Sequence, residues 1–240
     1  MLEGIEQRIR AVFRGNYEIV DRVRVDHQIE LVSDIDGGHQ LKIEGKSVLK
    51  TSDKVGLVDY TLTKIRVIVA ENAENCVFVH AGALEKNGGA LLLPGNSFAG
   101  KTTLTVELLK RGFRYLSDEY GVIGPNGNVA AFAKPISLRD GGRTQIDRTP
   151  EELGFDVSVG ASHVGAVIFL NYEPNTTFYA QKISKGSAIL SLLEHALPIR
   201  SRPEFTLKTL SAIPSSATFL NGKRGDAREA ADQIEKLLDC

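Results

Sequence analysis

Residues 91–102 read Leu91-Leu92-Leu93-Pro94-Gly95-Asn96-Ser97-Phe98-Ala99-Gly100-Lys101-Thr102. The apolar run at the start predicts a short buried strand, and the apolar periodicity of residues 102–109 predicts a helix. Between them lies G-x-x-x-x-G-K-[ST], the Walker A pattern. Its glycines let backbone N–H groups point at phosphate oxygens, and the helix presents its positive end to the same anion. This order of elements predicts a phosphate-binding loop in an α/β fold.

The loop pattern also assigns roles to single residues. Lys101 is expected to reach the β- and γ-phosphates of ATP, and the Thr102 hydroxyl to ligate Mg²⁺. The alternative is a glycine-rich turn that binds nothing, but the strand before the loop and the helix after it favour nucleotide binding. The predicted nucleotide-binding residues are Gly95, Asn96, Ser97, Phe98, Ala99, Gly100, Lys101, Thr102 and Thr103.

An acidic pair, Asp118-Glu119, begins sixteen residues after Thr102 and follows a predicted strand over residues 113–117. Ligand sites of α/β proteins form at the carboxyl ends of strands. One carboxylate of the pair is expected to complete the Mg²⁺ shell, and the other to accept a proton from an acceptor hydroxyl. The alternative is a solvated acidic turn. His80 lies in an apolar predicted strand over residues 76–84, and a lone histidine in such a strand is more often a buried structural residue than a catalytic one.

Composition excludes several classes of protein. Lys plus Arg number 29 and Asp plus Glu 30, so the net charge is -1, which predicts no nucleic-acid partner and no membrane partner. The cysteines, Cys76 and Cys240, match no zinc spacing and suit a reducing cytoplasm. No apolar run approaches the ~20 residues that span a bilayer. The short basic stretch 198–203 is a substrate-anion candidate or, alternatively, a solvated turn.

The order of predicted elements divides the chain into an N-terminal lobe, residues 1–75, and a catalytic domain, residues 76–240. The lobe is expected to hold a helix over 5–13, a β-meander over 17–25, 28–32 and 40–43, and a helix over 57–73. The catalytic domain is expected to hold strands over 76–84, 90–94, 113–117, 120–123 and 164–170. Its further helices are predicted to start at Thr149, to cover 186–196, and to start at Asp226 with Ala227, Ala230, Ile234 and Leu237 buried.

Five segments together resemble the catalytic half of HPr serine kinase/phosphorylase: His80, residues 88–97, 100–102, 111–114 and 117–119. The N-terminal part is similar instead to stand-alone HPr-kinase-related proteins. The resemblance implies a P-loop kinase fold of the phosphoenolpyruvate-carboxykinase-like type, α/β with mixed, partly antiparallel sheets and a small N-terminal α+β lobe.

The resemblance also implies catalytic roles. Lys101 would contact the phosphates, Asp118 would act as general base towards a serine hydroxyl, and His80 would line the active site. Thr102 and Glu119 would lie at the metal, and Arg139 matches an arginine of a later family segment. Members of the family are oligomers, which makes a homo-oligomer a further candidate property.

The leading hypothesis is an ATP- and Mg²⁺-dependent kinase that phosphorylates a hydroxyl of a small protein, a peptide or a small molecule. Three departures from the family pattern, Phe98, Thr103 and Glu119, motivate a second hypothesis, a nucleotide-binding regulatory or assembly module with little catalysis. A nucleoside triphosphate hydrolase is the third.

Overall fold

The computed structural model of the chain describes Gln7 and residues 25–33, 37–95, 100–139 and 145–238, with the side chains of Arg139 and Gln145 left out. The predicted helix over 5–13 apart from Gln7, nearly all of the predicted strand over 17–25, and loop residues 96–99 lie outside that description. The chain divides into two compact units, Met1–Val69 and Ala70–Cys240. The domain extents 1–75 and 76–240 stay predictions.

The first unit contains a three-stranded antiparallel sheet and most of a long helix. Its strands are β1 (Ile29–Ser33), β2 (His39–Ile43) and β3 (Lys46–Thr51), and its helix is α1 (Lys54–Asn72). Glu44 and Gly45 join β2 to β3 with φ values of 51° and 70°, the left-handed pair that a two-residue hairpin turn requires. The sequence analysis missed β3 because its side chains are mostly exposed and carry little apolar alternation.

The second unit is built on an eight-stranded mixed sheet. Its strands are β4 (Val77–Lys86), β5 (Gly89–Pro94), β6 (Arg114–Ser117), β7 (Tyr120–Ile123), β8 (Asn128–Ala130), β11 (Ala161–Tyr172), β12 (Tyr179–Lys182) and β13 (Thr218–Arg224). The main path of the sheet runs β12-β13-β11-β5-β4-β7-β8, with β6 paired to β4 and β8 also paired to β11. Among the pairs, β11 is parallel to both β5 and β13, and the others are antiparallel. A separate antiparallel pair joins β9 (Ile136–Arg139) to β10 (Gln145–Arg148).

Helices pack against both faces of this sheet. They are α2 (Lys101–Leu109), α3 (Lys185–His195), α4 (Pro203–Ser211) and α5 (Ala227–Leu238). One apolar core joins the sheet to α3 and α4, and a second joins it to α2 and α5. In β5, Ala90 and Leu92 enter the first core while Leu91 and Leu93 enter the second, because successive side chains of a strand point to opposite faces. The wholly apolar sequence of β5 therefore reflects a strand buried on both faces.

The prediction of an α/β fold with a mixed, partly antiparallel sheet is confirmed. Two local predictions are wrong. The helix expected from Thr149 is a single 3₁₀ turn, Glu151–Leu153: its capping box forms, with Thr149 and Glu152 bonded reciprocally, but Gly154 ends it at φ 76°. Leu237 in α5 is 46% exposed, and Ala231 is buried in its place. No helix in the described ranges has the length and apolar character to cross a bilayer.

We expect Leu92→Ala to destabilise the protein by about 2–5 kcal/mol, because it removes a fully buried side chain from the central strand and leaves a cavity. Leu190→Ala is the matched control, since Leu190 on α3 is 66% exposed. The free energy of unfolding of this variant should lie within about 0.5 kcal/mol of the wild-type value. Urea unfolding measures both free energies. Equal losses in the two variants would contradict the two-sided burial of β5.

Candidate functional site

Three parallel strands end at the same edge of the sheet, and the site is built on the segments that follow them. The strands are β5, β11 and β13, which end at Pro94, Tyr172 and Arg224. Register pairs Val167 of β11 with Leu92 and with Phe219, so the three carboxyl ends are aligned. Ligand sites of α/β sheets form at such an edge. Helix α2 begins there, one loop after β5.

Lys101, the first residue of α2, contacts the residue that follows β5. Its ammonium donates a hydrogen bond to the Gly95 carbonyl at 2.8 Å, and Gly95 N–H bonds in turn to the His80 carbonyl at 3.3 Å. Burial lowers the pKa of Lys101 to about 8, although the carboxylates of Asp118 and Glu119 oppose the shift. The amine therefore lies in a poorly solvated position, where a phosphate anion would bind it strongly.

Gly100 precedes α2 and fits there for two reasons. Its φ is 70°, in the left-handed region, and a Cβ on it would lie 2.5 Å from Nη2 of Arg224. That guanidinium donates to the Gly100 carbonyl at 2.8 Å and to the Gly225 carbonyl at 3.1 Å. The second glycine of the Walker A pattern is thus fixed by close approach of an arginine as well as by backbone conformation. Asn96, Ser97, Phe98 and Ala99, predicted to bind nucleotide, lie outside the described residues.

Asp118 lies against the first turn of α2. The Thr102 hydroxyl donates to its Oδ2 at 3.4 Å. The Tyr115 hydroxyl donates to Oδ1 at 3.1 Å and accepts from the Asp118 N–H at 3.0 Å. Burial, with the Asp118 charge second, holds the pKa of Tyr115 well above its usual value. Asp118 is only 6% exposed, so the alternative of a solvated turn does not describe it.

Lys134 is a residue that the sequence analysis did not single out as functional. Its ammonium lies 3.0 Å from Oδ1 of Asp118 and 3.6 Å from Oε2 of Glu119, and it donates to the Pro135 carbonyl at 3.2 Å. The side chain is 8% exposed. A buried lysine needs charge partners, because the desolvated ammonium is costly alone. A single charged residue inside the apolar stretch 129–136 was the available signal.

His80 lines a cavity of about 350 Å³ together with Glu119, Tyr120 and the segment Glu194-His195-Ala196-Leu197. We call this the His80 cavity. The end of α3 is held there by an isolated antiparallel bridge between Val79 and Ala196, which brings His195 to the same cavity. The sequence placed His195 only at the end of a predicted helix, with nothing to indicate that it would meet His80.

Both histidines favour the uncharged ring. Burial lowers the pKa of His80 to about 4, and the Lys101 ammonium and His195 add to the shift. Burial also lowers the pKa of His195, opposed by Glu194 and aided by Lys101. The His195 ring stacks on Phe169 with centroids 6.5 Å apart. At neutral pH the His80 cavity therefore presents imidazole groups that can donate and accept hydrogen bonds without adding positive charge.

A second cavity, of about 540 Å³, lies beside Gly100 and Thr103. We call it the Arg224 cavity; the segments after β11 and β13 supply the rest of its lining, Tyr172, Pro174, Asn175, Thr176, Arg224, Gly225, Asp226, Ala227 and Glu229. Arg224 is 3% exposed and lies over the Tyr172 ring at 5.4 Å. Strand β13 and Arg224 were not predicted, because the end of the strand, Asn221-Gly222-Lys223-Arg224, has the composition of a polar turn.

The remaining candidates lie in four different places. Thr103 lines the Arg224 cavity and Glu119 the His80 cavity. Arg139 ends β9, and its side chain lies outside the described part of the chain. In the basic stretch 198–203, Arg202 donates to the carbonyls of Ala73 and Glu74 and covers the Phe205 ring at 4.0 Å, which gives it a structural role.

The two arginines of the segment 111–114 form structural ion pairs. Arg111 pairs with Asp232 at 2.6 Å and joins the end of α2 to α5, while Arg114 pairs with the buried Glu85. Neither lines the two cavities.

Thr102 and Asp118 fit a magnesium ion, because hydroxyl and carboxylate oxygens are the hard ligands it prefers. Within the described residues, no three His, Cys, Asp or Glu side chains are placed to hold a metal ion on their own. Magnesium is commonly held by one or two protein oxygens together with phosphate and water. Lys134 contacts Oδ1 of Asp118, so the other carboxylate oxygen, Oδ2, faces Thr102.

Comparison with known proteins gives limited information. No protein-family model matches the sequence, and no curated protein matches it. Among solved structures, the chain is similar to the Hpr(Ser) kinase/phosphatase from Coxiella burnetii. The sequence identity is 17% and the TM-score 0.35, over 68% of this chain and 88% of that chain. A likeness of this degree does not carry the activity of that protein over to this chain.

We expect the His80 ring to titrate near pH 4 in the nucleotide-free protein, because folding buries it beside Lys101. An unfolded histidine titrates near ~6.5, so the unfolded chain binds the proton more readily and stability falls as pH drops from that value towards 4. Imidazole NMR signals, assigned with His80→Gln, give the pKa. His80→Gln should also lose part of the acid sensitivity in urea unfolding. A ring that titrates at or above 6.5 would contradict the burial of His80.

Proposed function

We propose that the chain is a phosphotransferase that moves the terminal phosphoryl group of a nucleoside triphosphate, ATP by preference, to a hydroxyl. The observation that carries the proposal is the grouping of Lys101, Thr102 and Asp118 at the start of α2, with the amine 2.8 Å from the Gly95 carbonyl and the hydroxyl 3.4 Å from the carboxylate. Phosphoryl transfer needs charge stabilisation and positioning more than covalent chemistry. These three groups supply a cation and a pair of metal ligands at one helix end.

We assign the nucleoside part of the phosphoryl donor to the Arg224 cavity. This cavity adjoins Gly100 and Thr103 at the edge where the parallel strands end, so phosphates at the start of α2 would extend into it. Its volume suits a small molecule, and the Tyr172 ring offers a face for stacking. The Arg224 guanidinium fixes the backbone of Gly100 before any ligand arrives.

We assign different roles to the carboxylates of Asp118 and Glu119. Asp118 turns Oδ2 to Thr102, which suits it to hold Mg²⁺, and that ion when bound would neutralise phosphate charge. Glu119 lines the His80 cavity, which suits it to accept the acceptor's hydroxyl proton. In the transfer, the acceptor oxygen bonds to the γ-phosphorus, the bond from that phosphorus to the bridging oxygen breaks, and the proton goes to Glu119. This assignment exchanges the roles that the family resemblance implies for Asp118 and Glu119.

The finer parts of the family interpretation belong to the same proposal. They are a P-loop kinase fold of the phosphoenolpyruvate-carboxykinase-like type, a protein, peptide or small-molecule acceptor, a cytoplasmic location and a homo-oligomeric assembly. Their support is the sequence pattern over His80, residues 88–102 and residues 111–119. Arg139 stays a candidate on sequence grounds.

We expect Lys101→Met to lower phosphoryl transfer about 10²–10³-fold, since it removes one preorganised positive group and keeps most of the side-chain length. Lys110→Met is the matched control: Lys110 follows the same helix, is 52% exposed and pairs only with Glu107 among the ion pairs of the described residues. Its rate should equal that of the wild type. The measurement is ADP formation from ATP and Mg²⁺ with a panel of hydroxyl acceptors. Undiminished transfer by Lys101→Met would refute the loop assignment.

One observation favours a second candidate, a nucleotide-binding module without transfer. The Lys134 ammonium contacts both carboxylates of the acidic pair and is itself buried, so it already supplies positive charge where a metal would act. In such a module the nucleotide binds at Lys101 while Asp118 and Glu119 stay engaged by Lys134.

Calorimetric titration of the wild type with ATP, in Mg²⁺ and in EDTA, separates the two candidates. A phosphotransferase is expected to bind ATP more tightly with Mg²⁺ and to release ADP when an acceptor is added, because the ion joins Thr102 and Asp118 to the phosphates. Equal affinity in EDTA and no turnover would select the binding module.

A further inference from the structure

The charge of the His80 cavity differs from that of the Arg224 cavity. Among its described lining residues, none is a lysine or an arginine, and two are glutamates, Glu119 and Glu194. Its histidines are uncharged at neutral pH. The Arg224 cavity also has two carboxylates, Asp226 and Glu229, but beside them lies the guanidinium of Arg224. Of the two cavities, the His80 cavity is therefore the one whose described lining has no permanently positive side chain.

The positive groups nearest the His80 cavity belong to the phosphate site. Lys101 donates to the Gly95 carbonyl, and Lys134 lies between Asp118 and Glu119. Lys134 therefore offsets part of the Glu119 charge. Glu194 forms no ion pair within the described residues; its charge acts on the neighbouring His195 and, because the residue is exposed, can also reach a ligand.

The carboxyl end of α3 contributes partial negative charge to the His80 cavity, whereas Lys101 and Lys134 contribute positive charge near His80. Glu194 and His195 are the last two residues of this eleven-residue helix, and the carboxyl end of a helix carries partial negative charge. The Tyr120 ring also lines the cavity, and aromatic faces attract cations. A cation that enters here meets the Glu194 carboxylate, the carboxyl end of a helix and an aromatic ring.

The volume of the His80 cavity limits the size of the ligand that it can hold. A volume of about 350 Å³ lies at the low end of small-molecule sites and has room for one small molecule or one or two side chains. An anionic acceptor would meet Glu119 and Glu194 with like charge, which is a strong means of rejection.

We propose that the His80 cavity is an acceptor site that recognises a protonated amino group close to the hydroxyl to be phosphorylated. The ligand chemistry is that of an amino alcohol, which a free small molecule or a serine beside a basic side chain can supply. Glu194 binds the ammonium, and Glu119 and His80 face the hydroxyl. The hydroxyl part of this inference rests on the proposed function; the binding of the cation does not.

The first test measures binding without nucleotide. Imidazole NMR signals of His80 and His195, assigned with His80→Gln and His195→Gln, are followed during titration with 1-amino-2-propanol and with its uncharged analogue 1,2-propanediol. The amine is expected to shift both signals and the diol to leave them in place. Glu194→Lys should weaken amine binding about tenfold or more, since it reverses the charge at the site. Glu204→Lys, the same change at an exposed position of α4, should bind as the wild type does.

An equal response to the diol, or unchanged amine binding by Glu194→Lys, would overturn the inference. Glu194→Gln, which removes the charge without reversing it, keeps the test valid if Glu194→Lys does not fold. Its affinity for the amine should lie between those of the wild type and Glu194→Lys.

The second test measures ADP formation with ATP, Mg²⁺ and three acceptors: the amino alcohol, a capped Lys-Ser dipeptide and the diol. Transfer to the first identifies a free amino alcohol and transfer to the second a basic peptide, and either supports the inference. Equal transfer to the diol would contradict it. A wild type that does not bind ATP in calorimetry would contradict the proposed function, while the NMR result would still decide whether the cavity binds the amine.

Discussion

The parallel alignment of β5, β11 and β13 is the constraint on which the candidate site depends. Parallel strands end on the same side of a sheet, so Pro94, Tyr172 and Arg224 meet at one edge although more than a hundred residues separate the first from the last. The start of α2 lies at this edge because the loop between β5 and α2 is short. Without that alignment, Arg224 could not contact Gly100, and the Arg224 cavity would lose the part of its lining that follows β13.

The buried Asp118 carboxylate is oriented by its polar partners. Asp118 is enclosed by the Tyr115 hydroxyl, the Lys134 ammonium and the Thr102 hydroxyl, so each of its oxygens has a partner. A buried carboxylate of this kind is costly unless it is paired, and the pairing in turn fixes its orientation. The two acidic side chains lie in different surroundings. Asp118 contacts the start of α2, while Glu119, the next residue in the sequence, lines the His80 cavity.

Much of the local structure could be predicted because it depends on short-range patterns. The apolar run of β5 and the helical periodicity of α3 both appear in the sequence at nearly the positions that the structure shows. Prediction failed where local signals were weak or were overridden. The capping box at Thr149 forms as expected, yet Gly154 stops the helix after one turn. Strand β13 has few apolar residues in its second half, and its pairing with β11 and β12 places it in the sheet.

The sequence by itself determined that this is an α/β chain with a strand, a glycine-rich loop and a helix in an order typical of phosphate binding, followed by an acidic pair. Those features depend on residues close together in the chain. Tertiary structure alone decided which distant groups complete the site: Arg224 against Gly100, Lys134 between the two carboxylates, and His195 beside His80. The physical reason is that parallel strand pairing and the bridge from Val79 to Ala196 join segments that carry no local signal of their proximity.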